Sequence, residues 1–377
     1  MNKACGIICE YNPFHNGHKY QIDHIKSETG LPVVCAMSGA FVQRGEPACK
    51  DKNLRASDAV RNGAEVVFEI PFPYSSMTAE KFAEAGVGVL IGSGVCSHIA
   101  FGSECGDVSL LSEIAKTLLR EGFTEALKKS RDDNPNMSYA LLREREIERR
   151  LGKEAADALR HPNDILAVEY IKAIIKSGKD VTPIAVKRTV GRNGKSGGFA
   201  SSSLIREMIS EGMDDKARQY VPEDCGFSDI RTDFAPFYKV LHASLMTRTP
   251  EELSNIPEIG GGLEHAVVKA ARTSGSYQEM FQKLRSKTIT DAKLRRALLF
   301  AFFGVGKETY GEKPRYANVL AMSDTEEAAR LMRTSRKEKS IVVSHRISEI
   351  KKDESAYRQY DFCRNCENVL SVASKRS

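Results

Sequence analysis

The sequence predicts an α/β protein: a parallel sheet in the first half of the chain, followed by a mainly helical, basic second half. Short apolar runs alternate with helix-like segments through the first half, which implies βαβ crossovers and a sheet covered on both faces. Beyond about residue 220 helical periods of 3.6 dominate. Basic residues gather late, with 17 Lys and Arg against eight Asp and Glu over residues 269–346, whereas residues 1–100 hold 9 against 10.

The elements follow in order. "KACGIIC" is a compact apolar strand, and "KYQIDHIKSETG" has helical spacing at Tyr20, Ile22 and Ile25 and stops at Gly30. "LPVVCAMSG" and "EVVFEIP" read as buried strands around the helix "NLRASDAVRNGA". "TAEKFAEAGVGVLIGSG" is a helix and "CSHIAFGSE" a fourth strand. The charge-dense "YALLREREIERRLGKEAADALR" reads as an exposed helix laced by i,i+4 pairs. "PNDILAVEYIKAIIKSG" is an amphipathic helix closed by Gly178, and "VTPIAVKRTV" returns as a strand. These boundaries predict domains at residues 1–222 and 223–377.

The chain has 377 residues, net charge +6, 41% hydrophobic and 28% charged content, which suits a globular protein with a sizeable core. No apolar run reaches the roughly 18–20 residues a bilayer span needs, and the start lacks a signal-peptide pattern, so a cytoplasmic protein is expected. Nine scattered cysteines do not read as a disulfide framework. Cys363 and Cys366 form a lone CxxC without the second pair of a zinc site. Cys5, Cys9, His15 and His18 are a weaker zinc alternative, because both cysteines serve equally as small fillers of one strand face. No metal site is expected among the residues. The basic second half suggests a polyanion partner, with a solvated helical surface as the plainer reading.

Two motifs carry the chemistry. In "EYNPFHNGHKYQ", Asn12-Pro13 stops a strand, Gly17 admits close backbone approach, and His15 and His18 stand three apart at a helix start. Ligands of open parallel sheets sit at such strand ends, and imidazoles beside free helix amides suit phosphate. In "FASSSLIREMI", Ser201, Ser202, Ser203 and Arg206 again gather hydroxyls, amides and a guanidinium. Helix capping alone explains the serines but not Arg206 together with the preceding glycines. Gly191, Gly194, Gly197 and Gly198 predict a loop able to close over a ligand. "GVGKET" at Lys307 is not a P-loop, and "GVGVLIGSG" does not complete GxGxxG.

These motifs, with "AMSGAFVQRGEPA", "VVFEIPFPYS", "FGSECGD" and "PNDILAVEYIKAI", resemble the bacterial tRNA(Met) cytidine acetate ligase family, within the HIGH-type nucleotidyltransferase superfamily. The resemblance implies a Rossmann-like nucleotidyltransferase domain followed by an RNA-binding helical domain. It implies an enzyme that activates acetate with ATP as acetyl-adenylate. The acetyl group then passes to N4 of the wobble cytidine of elongator tRNA(Met). The family's ATP positions carry over onto Cys9, Glu10, Tyr11, Asn12, Pro13, Phe14, His15, Asn16, Gly17, His18 and Lys19, and onto Gly102, Asn163 and Arg188. Asn163 could equally cap its helix and Arg188 be a surface cation. His15 and His18 are expected at the triphosphate near the α-phosphate, and Ser201, Ser203 and Arg206 at the leaving pyrophosphate. Mg²⁺ is implied by triphosphate chemistry alone. Ser38, Gln43 and Arg44 are candidates for an acetate pocket. Lys293, Arg295, Arg296, Arg333, Arg336 and Lys337 are candidates for tRNA phosphates. Two alternatives are a nucleotidyltransferase acting on a small molecule and a non-catalytic RNA-binding protein with a nucleotide site.

Overall fold

The computed structural model describes residues 3–134, 137–188, 195–196, 198–286 and 288–374. The strands are β1 (Ala4–Cys9), β2 (Val33–Ser38), the hairpin pair β3 (Phe41–Val42) and β4 (Glu46–Pro47), β5 (Ala64–Ile70) and β6 (Cys96–Ser103). They continue with β7 (Thr182–Lys187), the short pair β8 (Lys195–Ser196) and β9 (Phe199–Ala200), β10 (Tyr316–Met322) and β11 (Val342–Ser344). Seven of them form one sheet in the order β11-β10-β5-β2-β1-β6-β7.

The pairs β1–β2, β2–β5, β1–β6 and β6–β7 are parallel. After β1 the chain adds β2 and β5 on one side and then β6 and β7 on the other. The direction of winding therefore reverses beside β1, and a crevice opens beyond the carboxyl ends of β1 and β6. Every residue of β2 and of β5 is buried between the covering layers, Glu65 and Glu69 of β5 included.

Helix α1 (Asn16–Thr29) starts on His15 and ends at Gly30, whose φ of 65° lets its N–H reach the Lys26 carbonyl. Helix α2 (Lys52–Arg61) is capped by Asp51. Helix α3 (Ala79–Gly92) lies so close to β1 that a Cβ on Gly6 would stand 2.7 Å from Leu90, and one on Gly86 2.8 Å from Ile8.

The second half is helical, with one difference from its periodicity. The segment "YANVLAM" forms β10, which pairs antiparallel with β5, and β11 runs parallel to β10. At seven residues between Pro314-Arg315 and Ser323-Asp324, β10 is too short for a helical period to declare itself. The sheet is thus shared across residue 222. Aromatic packing joins the halves further: Phe41 lies 5.3 Å from Phe303, and Phe72 6.2 Å from Phe300 and 6.1 Å from Phe362, ring centre to ring centre. All nine cysteines are free, and Cys363 and Cys366 are buried in the helix Glu354–Ala373. Among the described residues no helix is long and apolar enough to cross a membrane.

Candidate active site

The crevice at the end of β1 receives the amino ends of two helices. At α1, His15 is the N-cap, and its Nδ1 accepts the Gly17 N–H at 3.0 Å. At the helix Ser202–Ser210, Ser201 is the N-cap, and its Oγ accepts the Leu204 N–H at 3.2 Å. The helices are pinned to one another: the Ser202 hydroxyl donates to the Pro13 carbonyl at 3.3 Å, and the Asn16 amide donates to the Gly198 carbonyl at 3.1 Å. Unsatisfied backbone amides at both ends suit an anion.

The histidine rings stack with centres 3.7 Å apart. Beneath them Tyr11, 1% exposed and held at φ 47°, packs its ring 4.7 Å from His18. A buried tyrosine in the left-handed region is strained backbone of the kind that clusters at functional sites. Burial, with the Arg188 guanidinium beside it, lowers His15 to about 3. Burial, His15 and Arg188 also hold His18 well below its usual range. Both rings are therefore neutral at pH 7, free to act as fixed dipoles. Nδ1 of His18 and Nε of Arg188 are buried without a protein partner among the described residues. A ring nitrogen and a guanidinium left open beside two helix N-termini are what an incoming phosphate would satisfy.

The depressed histidines set the direction of pH dependence. Above about pH 6.5 these rings are neutral folded and unfolded, so their contribution to stability is whole there. As pH falls from 6.5 toward 3 the unfolded chain takes up protons that the native rings refuse, and stability falls. Urea midpoints measured from pH 7.5 to 4.5 should decline, and the decline should shrink in His15→Phe.

Two adjoining cavities share His18, Gln21, Gly102 and Arg188. The first also holds His15, Gly17, Ser201 and Phe199. The second, of about 270 Å³, is walled by Phe82, Phe101 and Tyr170 and rimmed by Glu10, Gln43, Arg44 and Asn163. Gly102 faces Arg188, whose Cγ would stand 3.4 Å from a Cβ there. Asn163 donates to the Glu104 carboxylate at 2.6 Å. It therefore fixes the loop after β6 rather than simply capping its helix.

Of the residues the sequence singled out, Cys9, Glu10, Tyr11, Asn12, His15, Gly17, His18, Gly102, Asn163, Arg188, Ser201, Gln43 and Arg44 line one or both cavities. Others stand apart. Phe14 is core, and Lys19 is exposed and paired with Asp23 at 3.3 Å. Ser38 is buried outside both linings, its hydroxyl without a partner among the described residues. Arg206 donates to the Asn12 carbonyl and lies 3.5 Å from the Ser203 hydroxyl, so it braces the Asn12 turn from the helix Ser202–Ser210. Neither Ser203 nor Arg206 lines a cavity. Gly191, Gly194 and Gly197 lie outside the described residues.

The basic candidates divide. Arg296 is 7% exposed and holds Glu258 through two bonds of 2.8 and 2.6 Å, so its guanidinium is committed inside the protein and leaves the phosphate-facing set. Arg295 pairs with Glu46 at 3.0 Å, and Lys293 is partly exposed beside it. Arg333 is paired with Glu326, while Arg336 and Lys337 are exposed.

Two residues that shape the site, Arg55 and Asp164, are not singled out by any motif in the sequence. Arg55 is fully buried and donates to the carbonyls of Lys50, Glu10 and Gly39, which joins the loops after β1 and β2. The available signal was its place beside Ala56 and Ala59 on the apolar face of α2. Asp164, also fully buried, accepts the Ser103 hydroxyl and the Glu104 N–H and shapes the loop opposite Arg188. Gly45, at φ 75°, closes the hairpin that carries Gln43 and Arg44, and a Cβ there would meet the Arg296 amide nitrogen at 2.6 Å. Gly45→Ala should cost at least about 2 kcal/mol of unfolding free energy, from left-handed strain and a clash with backbone. Denaturant titration reads it directly.

A mainly parallel sheet whose switch point carries paired histidines, two helix N-termini and a guanidinium with its Nε open among the described residues defines a nucleotide-handling α/β protein of the nucleotidyltransferase type. Residues 2–376 match the family described as HIGH Nucleotidyl Transferase. The chain is 32% identical over 395 residues to the tRNA(Met) cytidine acetate ligase of Acetivibrio thermocellus, covering 98% of this chain and 91% of that protein. It is 36% identical over 339 residues to the protein of that name from Caldicellulosiruptor saccharolyticus, covering 85% and 82%. The crystal structure of Thermotoga maritima TmcAL bound with α-thio ATP superposes with a TM-score of 0.89 at 28% identity, covering 98% of this chain and 94% of that one. The chain belongs to the tRNA(Met) cytidine acetate ligase family of HIGH nucleotidyl transferases.

Proposed function

We propose that this protein is an ATP-dependent ligase that activates acetate as acetyl-adenylate and transfers the acetyl group to N4 of the wobble cytidine of elongator tRNA(Met). The observation that carries this reading is the convergence of the His15 and Ser201 helix ends on neutral His18 and on Arg188, whose buried Nε has no partner among the described residues. The solved relative that superposes on this chain holds α-thio ATP, and the relatives' name supplies acetate and tRNA(Met).

In the first step an acetate oxygen attacks the α-phosphorus and pyrophosphate leaves. Charge grows on the non-bridging and leaving oxygens, where His18, Arg188 and the helix amides would stabilise it. In the second step the cytidine N4 attacks the acetyl carbonyl, an amide bond forms as N4 gives up one proton to solvent, the acyl–phosphate bond breaks and AMP leaves with the electron pair. Gln43 and Arg44 would face acetate from the second cavity. Arg206, with the Ser203 hydroxyl beside it, would act on pyrophosphate through the Asn12 turn it braces. Residues 1–222 are the catalytic part and 223–377 the part that meets tRNA, with β10 and β11 built into the catalytic sheet.

Mg²⁺ fits here only as a companion of the triphosphate. Among the described residues the one cluster of metal-type ligands is Glu69, Cys363 and Glu367, and Lys52 already bridges those two carboxylates at 2.7 and 2.6 Å. The setting we assign is the cytoplasm, where tRNA is handled. Labelled acetate, ATP and tRNA(Met) should yield N4-acetylcytidine at the wobble position, read by mass spectrometry of nuclease fragments. Label that remains in adenylate and never reaches tRNA would reject the transfer step.

A further inference from the structure

The sheet ends at β11. Between that edge strand and the helix Glu326–Glu338 runs a groove of about 750 Å³ that the site above does not use. Its floor is apolar, including Met322, which is 48% exposed, and Met332. Its rim carries Arg336 and Lys339 on one wall and Arg346 and Lys352 on the other, all exposed. Glu349 is the only carboxylate among the lining residues, set against those four cations.

The neighbouring cations are treated differently by the fold. On the same helix Arg330 pairs with Glu327 and Arg333 with Glu326. None of the four rim cations has a carboxylate within ion-pair distance among the described residues; Glu349, whose carboxyl is lowered by the Ser344 hydroxyl and by the fields of Lys339, Arg346 and Lys352, offsets one charge of the four. Four such cations around one concavity focus a positive field and raise the local concentration of polyanions.

We propose that this groove binds the sugar–phosphate backbone of the tRNA substrate at a distance from the reacting nucleotide, with phosphates on Arg336, Lys339, Arg346 and Lys352. The assignment rests on the ligase reading above. The groove lies four strands from β1, about 19 Å at the usual strand spacing. Acetate and ATP cannot bridge that gap, whereas an RNA stem whose one nucleotide sits in the crevice can. An acidic protein segment would match the charge but has no reason to be held in register with the crevice. Arg336 and Lys339 are neighbours on one helix end in the sequence, whereas Arg346 and Lys352 are brought to them only by β11 and the turn that follows.

The test compares full-length Arg346→Gln/Lys352→Gln with Lys128→Gln/Lys129→Gln, which removes the same charge from an exposed helix elsewhere. Arg336→Gln/Lys339→Gln, on the opposite wall, is the second groove variant. The tRNA(Met) affinity is measured across a salt series, beside acetate-dependent ATP–pyrophosphate exchange. Each groove variant should bind tRNA about tenfold or more weakly, with a log–log salt slope shallower by about 1.4–1.8, while the control stays near wild type. Exchange should be unchanged in all three. Groove variants that bind tRNA as the control does overturn the proposal. So does loss of binding to a poly-glutamate probe with tRNA binding intact, which would assign the groove to an acidic protein partner. Absence of exchange in the wild-type protein would reject the ligase reading instead, and the salt slopes would still decide the groove.

Discussion

His18→Ala should lower acetate-dependent ATP–pyrophosphate exchange by about two to three decades at saturating ATP and acetate. One preorganised donor aimed at developing charge contributes about 3–4 kcal/mol, and each 1.36 kcal/mol is a factor of ten in rate. The ring meets the requirement for preorganisation. It is clamped between His15, Tyr11 and Phe14, with centres 3.7, 4.7 and 5.6 Å away, so no reorganisation accompanies the reaction. Burial and the neighbouring cation keep it neutral, which lets a ring N–H donate without a proton first being acquired. The loss should fall on kcat. A purely space-filling role would instead raise the KM for ATP and leave kcat standing. His18→Gln, which restores an N–H donor in similar volume, should recover part of the rate.

Arg55→Met should lower unfolding free energy by about 3–5 kcal/mol, a large share of the stability of an ordinary domain. The guanidinium is 0% exposed and supplies donors to three carbonyls, those of Lys50, Glu10 and Gly39. Methionine fills similar space and leaves three acceptors unsatisfied, those of Lys50 and Gly39 in buried contacts, each of the buried ones at about 1–3 kcal/mol before relaxation. Arg55→Lys should rescue little, because a single ammonium cannot span the fork. Chemical denaturation reads the stability. The same variant should lose exchange activity even under native conditions, since the carbonyls it releases belong to the loops that carry Glu10 and the Gln43 hairpin. A drop below about 1 kcal/mol would show that the loops hold without this tie.

Much of the sheet was legible because its strands are bounded by punctuation the eye can find: Gly30 after α1, Pro71 after β5, Gly178 before β7. The histidine pair was legible for the same reason, since Asn12-Pro13 and Gly17 mark where strand gives way to helix. β10 and β11 were not, because seven and three residues inside a helical region carry no period, and their place is decided by the exposed edge of β5. The partners of Arg206 and Arg296 were not legible, for a shared physical reason. An arginine motif states that a guanidinium is present but not what it faces, and here Asn12 and Glu258, far away in sequence, are the partners. Arg55 was missed by the converse argument: a charged residue within a helical stretch reads as solvated, and only the fold reveals three carbonyls waiting for it.

The most direct measurement of the central claim is ATP–pyrophosphate exchange by the wild-type protein, with and without acetate, first alone and then with tRNA(Met). Exchange that depends on acetate is the expected result and would establish acetyl-adenylate formation at the His15–His18 crevice. Silence under both conditions, with ATP bound and the protein folded, would contradict it.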